Sequence, residues 1–261
     1  MPADRPTQAF TDDAVLSGRL KLRQPARGHR FGHDAILLAA STPAAAGEVA
    51  VDLGAGVGAA GLALAWRVTG LTVHLVEIDA ELAKLATHNA ERNGLSARVS
   101  AHALDVAAPP AVFAAAGLDA DCAHRALMNP PFHQEGRAQA SPDARRRAAH
   151  LAPAGALGVW LGSAARLLHP GGTLSVIFHA DGRDALIAAL APAFGAIAIQ
   201  PVHPKPGAAA IRILLCATKG GAAPLRQLPG LVLNRDDGRP SAEAEAVLRE
   251  GAALPLGHSA E

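Results

Sequence analysis

An α/β fold on a mostly parallel seven-stranded sheet, with the last strand antiparallel, is predicted by three observations in this 261-residue chain. After residue 47, short β-branched runs alternate with longer Ala/Leu-rich segments at helical spacing, the pattern of strands joined by crossover helices. The first of these runs leads into a glycine-rich turn, Gly54-Ala-Gly56-Val-Gly58, that opens the first helix of the sheet. The last two strands are joined by a segment beginning His203-Pro-Lys-Pro206-Gly207, too short for a crossover helix, so they form a hairpin.

In order, the strands are expected at Val49–Leu53, Thr72–Ile78, Ala97–Ala101, Ala123–Met128, Thr173–Phe178, Ala196–Val202 and Ile211–Ala217. Helices are expected near Val57–Val68, Ala80–Asn93, Ala107–Ala116, Gly155–Leu168 and Gly182–Ala193, with Asn93-Gly94 and Pro170-Gly171-Gly172 as stops. Residues 1–46 read as an N-terminal lid and substrate segment, 47–218 as the sheet domain and 219–261 as a C-terminal extension. The extension offers one more strand at Leu231–Leu233 and a short helix at Ser241–Glu250, and either covers the sheet or hangs loose.

Half of the residues are hydrophobic and 18% are charged, so a chain of this length buries a large core without staples. The formal net charge of +1, from 24 basic and 23 acidic residues, lacks the global footprint of a dedicated nucleic-acid binder but leaves room for a local basic face. Cys122 and Cys216 match no C-x-x-C spacing, which argues for a reducing, cytoplasmic setting. The start, MPADRPTQAFTDD, lacks the basic end and apolar run of a signal peptide, and no apolar stretch reaches the ~20 residues that span a bilayer. No membrane or metal partner is expected. Of twelve histidines only His29 and His33 fall four apart, beside Gly28 and Gly32, which weaken any helix that would pair them.

The glycine turn demands close approach of backbone, either to a ligand or to a packed helix. Gly54-x-Gly56-x-x-Ala59 fits the loose dinucleotide fingerprint, and Glu77, in the second strand, stands where an acid holds ribose hydroxyls. Asp52 shifts the reading, because a carboxylate beside the loop repels a pyrophosphate and suits an ammonium group. S-adenosylmethionine carries that ammonium, a ribose for Glu77 and an adenine whose amino group can meet Asp105, with Ile78 along its face. Asp105 equally reads as the N-cap of the helix that follows.

Asn129-Pro130-Pro131-Phe132 follows the fourth strand and so belongs at the carboxyl end of the sheet, beside the glycine loop. Two prolines fix the backbone and offer no N–H, leaving the Asn129 side chain and the Pro130 carbonyl as rigid acceptors. An exocyclic amine conjugated to a ring or amide is a poor nucleophile, and acceptors on its N–H groups localise its lone pair. Phe132 can stack on the planar group while the nitrogen is aimed at a sulfonium methyl. A proline-stiffened strand exit is the plain alternative.

These residues resemble the class I S-adenosylmethionine-dependent methyltransferases with an N-P-P-[YF] motif. More narrowly, Phe31-Gly-His-Asp34-Ala-Ile-Leu-Leu-Ala39, Asn129-Pro-Pro-Phe-His133, His203-Pro-Lys-Pro206 with Ile211-Arg212-Ile213, Lys219-Gly220 and the 242–248 helix are similar to the bacterial tRNA(adenine-N6)-methyltransferase family. That family modifies the adenine just 3′ of the anticodon in a valine tRNA. The resemblance implies a Rossmann-like class I methyltransferase fold and S-adenosylmethionine as cofactor, bound by Asp34, Asp52, Gly54, Gly56, Gly58, Glu77, Ile78, Asp105 and Asn129. Asn129, Pro130, Pro131 and Phe132 would form the catalytic tetrapeptide, and tRNA would be the substrate. Asp34 would lie in a segment closing over the methionine end of the cofactor; it also reads as a helix N-cap.

Arg19, Lys21, Arg23, Arg27 and Arg30, and Arg145 to Arg147, can flank the mouth of the site and meet phosphates, or form solvated faces. His133 adjoins the tetrapeptide, either at the substrate or as a plain loop residue. At this stage protein-glutamine N5 methylation, rRNA guanine-N2 methylation, a NAD(P)-binding oxidoreductase and a non-catalytic RNA-binding module remain open. The oxidoreductase gives no reason for Asp52 or for the tetrapeptide.

Overall fold

The computed structural model describes residues 9–28, 30–131 and 155–257. It opens on a hairpin, β1 (Phe10–Val15) and β2 (Leu20–Pro25), followed by α1 (His33–Ser41). The sheet domain runs β3 (Val49–Leu53), α2 (Ala59–Arg67), β4 (Thr72–Glu77), α3 (Ala80–Arg92), β5 (Val99–Ala103), α4 (Pro110–Ala115) and β6 (Ala123–Met128). After the undescribed stretch come α5 (Ala156–Leu167), β7 (Leu168–His179), α6 (Arg183–Leu190), β8 (Phe194–His203) and β9 (Arg212–Lys219). Two short strands, β10 (Arg226–Gln227) and β11 (Leu231–Val232), and a helix α7 (Ala242–Glu245) that continues as a wider turn to Glu250 complete it.

The sheet order is β10-β8-β9-β7-β6-β3-β4-β5, with β11 also on β8. β9 is antiparallel to both of its neighbours, β7 and β8, so the reversed strand is last of the seven in sequence but lies inside the sheet. The extension is no loose end, since β10 and β11 pair parallel to β8 and cover its outer edge.

Alternation along each strand divides the core into two layers. Ala50, Val73, Leu75, Leu127 and Leu214 pack under α1, α2 and α3, whereas Val51, Leu53, Val76, Met128 and Val176 pack under α4, α5 and α6. Most expected elements fall within a few residues of their observed bounds. Two differ for local reasons. The helix expected at Ala107–Ala116 is confined to Pro110–Ala115, because the chain first turns on Asp105, whose carbonyl accepts from Ala108 N–H. Pro170-Gly171-Gly172 lies within the bulged start of β7 instead of ending α5, which stops three residues earlier at Leu167.

The N-terminal hairpin is joined to the domain by two asparagines one turn apart, Asn89 on α3 and Asn93 at its C-terminal cap. Asn89 accepts from Arg23 N–H (2.7 Å) and donates to Arg23 O and to Val57 O (both 3.0 Å). Asn93 accepts from Lys21 N–H (2.9 Å) and donates to Lys21 O (2.7 Å). Asn89 is fully buried and therefore cannot exchange these partners for water. Asn89→Ala should lower stability by about 1–3 kcal/mol, the cost of stranding buried polar groups. Denaturant unfolding with an unchanged slope, and faster hydrogen exchange in the hairpin, would register it; an unchanged midpoint would show that the hairpin is held elsewhere.

Candidate active site at the carboxyl ends of the strands

From β3 the chain proceeds through β4 and β5 to one side, then returns to place β6 on the other, so a crevice opens where β3 and β6 end. Leu53 pairs with Met128, which brings the next residues, Gly54 and Asn129, side by side at the rim. The glycine loop and the Asn129-Pro130-Pro131 segment thus leave neighbouring strands a single strand spacing, about 5 Å, apart. Asn129 is exposed and Pro130 buried, so the asparagine stands at the surface on a backbone stiffened by the prolines. Phe132, His133 and Arg145 to Arg147 lie outside the described residues.

The loop hangs on its neighbour strand: Gly54 and Ala55 N–H both donate to Val76 O, at 2.8 and 2.9 Å. Gly58 has a φ of +86°, and a Cβ there would sit 2.9 Å from Leu75 Cδ1. Two carboxylates then hold the turn. Gly56 N–H donates to Glu77 Oε2 (2.8 Å), while the other oxygen, Oε1, accepts from Asp79 N–H (2.9 Å). Asp79 in turn caps α3 by accepting from Glu81 N–H (2.9 Å).

Asp52 lies beneath this loop, only 2% exposed, with Oδ2 accepting from Gly61 N–H (2.9 Å). Its contact in the structure is thus with the first turn of α2, on the inner side of the loop where the sequence reading set it facing an ammonium. Burial, opposed by the Gly61 hydrogen bond and reinforced by the Glu77 charge, pushes its carboxyl up to about 7. Ile78 is 67% exposed, an apolar side chain standing in solvent directly after Glu77. Asp105 is exposed at the end of β5 and accepts from Ala107 N–H (2.8 Å), a turn two residues on. It is not the helix cap, since Pro109 holds that position.

Asp34 is not a cap either: Gly32 precedes α1, and Asp34 sits in its first turn. Its Oδ2 accepts from Arg212 Nε (2.9 Å), and Arg212 also reaches His179 Nδ1 (3.3 Å), at the ends of β9 and β7. Asp34 thereby belongs to the rim beyond β6. Much of the N-terminal basic cluster is neutralised within the chain. Arg23 pairs with Asp12 and Arg30 with Asp13, each at 3.0 Å, and Arg92 adds a second partner to Asp12. The Arg23 and Arg92 guanidinium groups hold Asp12 well below the usual carboxylate range. Arg19 bonds Glu250 O (3.3 Å) and lies 5.8 Å above the Trp66 ring.

Among the described residues, no group of three or more His, Cys, Asp or Glu converges as a metal site, and no helix is long and apolar enough to cross a membrane. Sequence reasoning missed Asn89 and Asn93, the clasp on the hairpin. It also missed Trp160 of α5, whose ring lies against Gly54. A tryptophan one helical turn after a glycine-marked helix start carried no separable signal.

Comparison with known proteins agrees with this geometry. Residues 30–199 match the family model described as methyltransferase small domain. A tRNA1(Val) (adenine(37)-N6)-methyltransferase of Phocaeicola vulgatus is 29% identical over 71% of this chain and 75% of its own length. One of the same name from Cronobacter sakazakii is 30% identical over 60% of this chain and 61% of its own length. A solved structure from Agrobacterium tumefaciens, a predicted O-methyltransferase, is 30% identical with a TM-score of 0.72, covering 85% of this chain and 98% of that one. With the glycine loop, the acid at Glu77 and Asn129-Pro130-Pro131 assembled at one crevice, the chain belongs to the methyltransferase small domain family and is an S-adenosylmethionine-dependent methyltransferase of Rossmann-like fold.

Proposed function

We propose that the acceptor is an exocyclic amine, adenine N6 in a tRNA, as the names of the two curated relatives suggest. The observation that carries this reading is the register of Leu53 against Met128, the residues directly before Gly54 and Asn129. It sets the acceptors of the N-P-P segment beside the loop that receives the cofactor. The cofactor supplies an electrophilic methyl. Glu77 is suited to ribose hydroxyls, the exposed Ile78 to one adenine face and Asp105 to its amino group. Gly54, Gly56 and Gly58 leave backbone room. Asp52 contributes charge from below the loop, and Asp34 steadies the rim through Arg212.

Asn129 Oδ1 and the Pro130 carbonyl would accept the two N–H groups of the target. The nitrogen lone pair would then face the electrophilic methyl, the new N–C bond forming as the C–S bond breaks and the surplus proton passing to water. Phe132 would stack on the base. An oxygen acceptor would need a base to take its proton, and the group beside Gly54 is a neutral amide. That favours nitrogen over the oxygen chemistry in the name of the Agrobacterium relative.

Incubation with methyl-labelled S-adenosylmethionine and total RNA or protein extract should place the label on tRNA as N6-methyladenine; label on protein glutamine or on a hydroxyl would overturn the reading. Asn129→Ala should leave cofactor affinity within a few-fold of wild type and slow single-turnover methylation by roughly 10²–10³. Phe132→Ala should also raise KM for RNA, because a flipped base loses stacking of about 1–3 kcal/mol.

A pH dependence follows from Asp52. Its folded-state pKa, raised to about 7, exceeds the ordinary 3.8, so the native state holds this proton more tightly than the unfolded chain. The Asp52 contribution to stability should therefore decline as pH rises from about 4 to about 7, then level off. A bound cation favours the ionised form, so S-adenosylmethionine affinity should rise as pH climbs to about 7. Denaturation and calorimetry across pH should show both slopes in the wild type and neither in Asp52→Asn.

A further inference from the structure

Trp160 is the large aromatic side chain that the description of the site leaves without a task. It lies on α5, the helix entered after the N-P-P segment. A Cβ on Gly54 would come within 2.3 Å of Trp160 Cη2 and 2.8 Å of Cζ3, so the benzo edge of the indole rests directly on the glycine's Cα. The Gly54 φ of +72° also excludes a side chain there, so the indole and the bare backbone require one another. One turn along α5, Ser163 Oγ donates to Val106 O at 2.6 Å. The helix is thereby fastened to the turn that carries Asp105. The stretch from Trp160 to Ser163 spans from Gly54 to that turn, and Trp160 stands at the Gly54 end, half-buried.

Gly54 and Asn129 directly follow Leu53 and Met128, the last pair of β3 with β6, and methyl transfer requires the sulfonium beside Asn129. A sulfonium held there would lie in the neighbourhood of a tryptophan that uses one edge for packing and keeps part of its surface open. Tryptophan is the strongest ring partner for a cation, acting within about 6 Å of its centroid. We infer that the Trp160 indole contacts the sulfonium of the bound cofactor and distinguishes the cationic donor from its neutral demethylated product. After transfer the sulfur carries no charge, the attraction is lost and the product is held less tightly than the donor. This extends the cofactor assignment and does not depend on which nucleotide is methylated.

The test is calorimetric binding of S-adenosylmethionine, S-adenosylhomocysteine and sinefungin, which carries an amine in place of the sulfonium, to wild type, Trp160→Leu and Trp160→Phe. Trp160→Leu should weaken the two cationic ligands by roughly three- to thirty-fold and the neutral thioether by less than about two-fold. Trp160→Phe, which keeps a smaller ring, should fall between; should the leucine variant fail to fold, the cation-to-neutral affinity ratio in the phenylalanine variant decides. Equal losses for all three ligands would reduce Trp160 to packing, and no loss would set its ring outside the cleft; either result overturns the inference. Wild-type protein that binds none of the three would instead overturn the cofactor assignment itself.

Discussion

Everything at the strand ends depends on how the glycine loop is held from both sides by carboxylates. A loop of successive glycines has the backbone freedom to receive a ligand and the same freedom to collapse without one. Glu77 restrains it by taking Gly56 N–H on one oxygen while the other takes Asp79 N–H, which joins the loop to the start of α3. Asp52 fixes the first turn of α2 from below through Gly61. Burial and the nearby Glu77 charge together raise the cost of ionising Asp52, directly beneath the loop.

Acids in this cleft also satisfy their own surroundings. Asp105 accepts from Ala107 and Glu77 from Gly56 and Asp79, so each carboxylate is oriented before any ligand arrives. Such bonds cost little to share, because a carboxylate oxygen has more than one acceptor direction. Orientation in advance reduces the entropy lost on binding.

Much of this was legible in the chain itself. The strands β3 and β4 are largely β-branched or apolar runs bounded by turn residues, and the reversed β9 was readable from a connection too short to cross over. The site residues were legible because glycines, acids and prolines act through local backbone geometry. Features that depend on partners distant in sequence were not. The β1 strand, Phe-Thr-Asp-Asp-Ala-Val, reads as polar chain because its stabilising groups lie in β2 and α3. Asn89 resembles any polar residue of a helix until the hairpin is laid across it. Asp34 and Asp105 looked like caps because an apolar helical run followed each. Their actual partners are an arginine 178 residues away in one case and a tight local turn in the other.

Asn89 has a consequence beyond holding the hairpin. One amide group of this buried side chain serves both Arg23 O in β2 and Val57 O in the glycine loop. Order at the N-terminal segment and order at the nucleotide loop therefore draw on a single hydrogen-bonding centre, and whatever steadies one end lowers the entropic cost of steadying the other. Linkage makes such an effect reciprocal: the free energy by which order in the loop assists order in the hairpin equals the free energy of the reverse. The hairpin and the loop are thereby coupled through a side chain that belongs to neither.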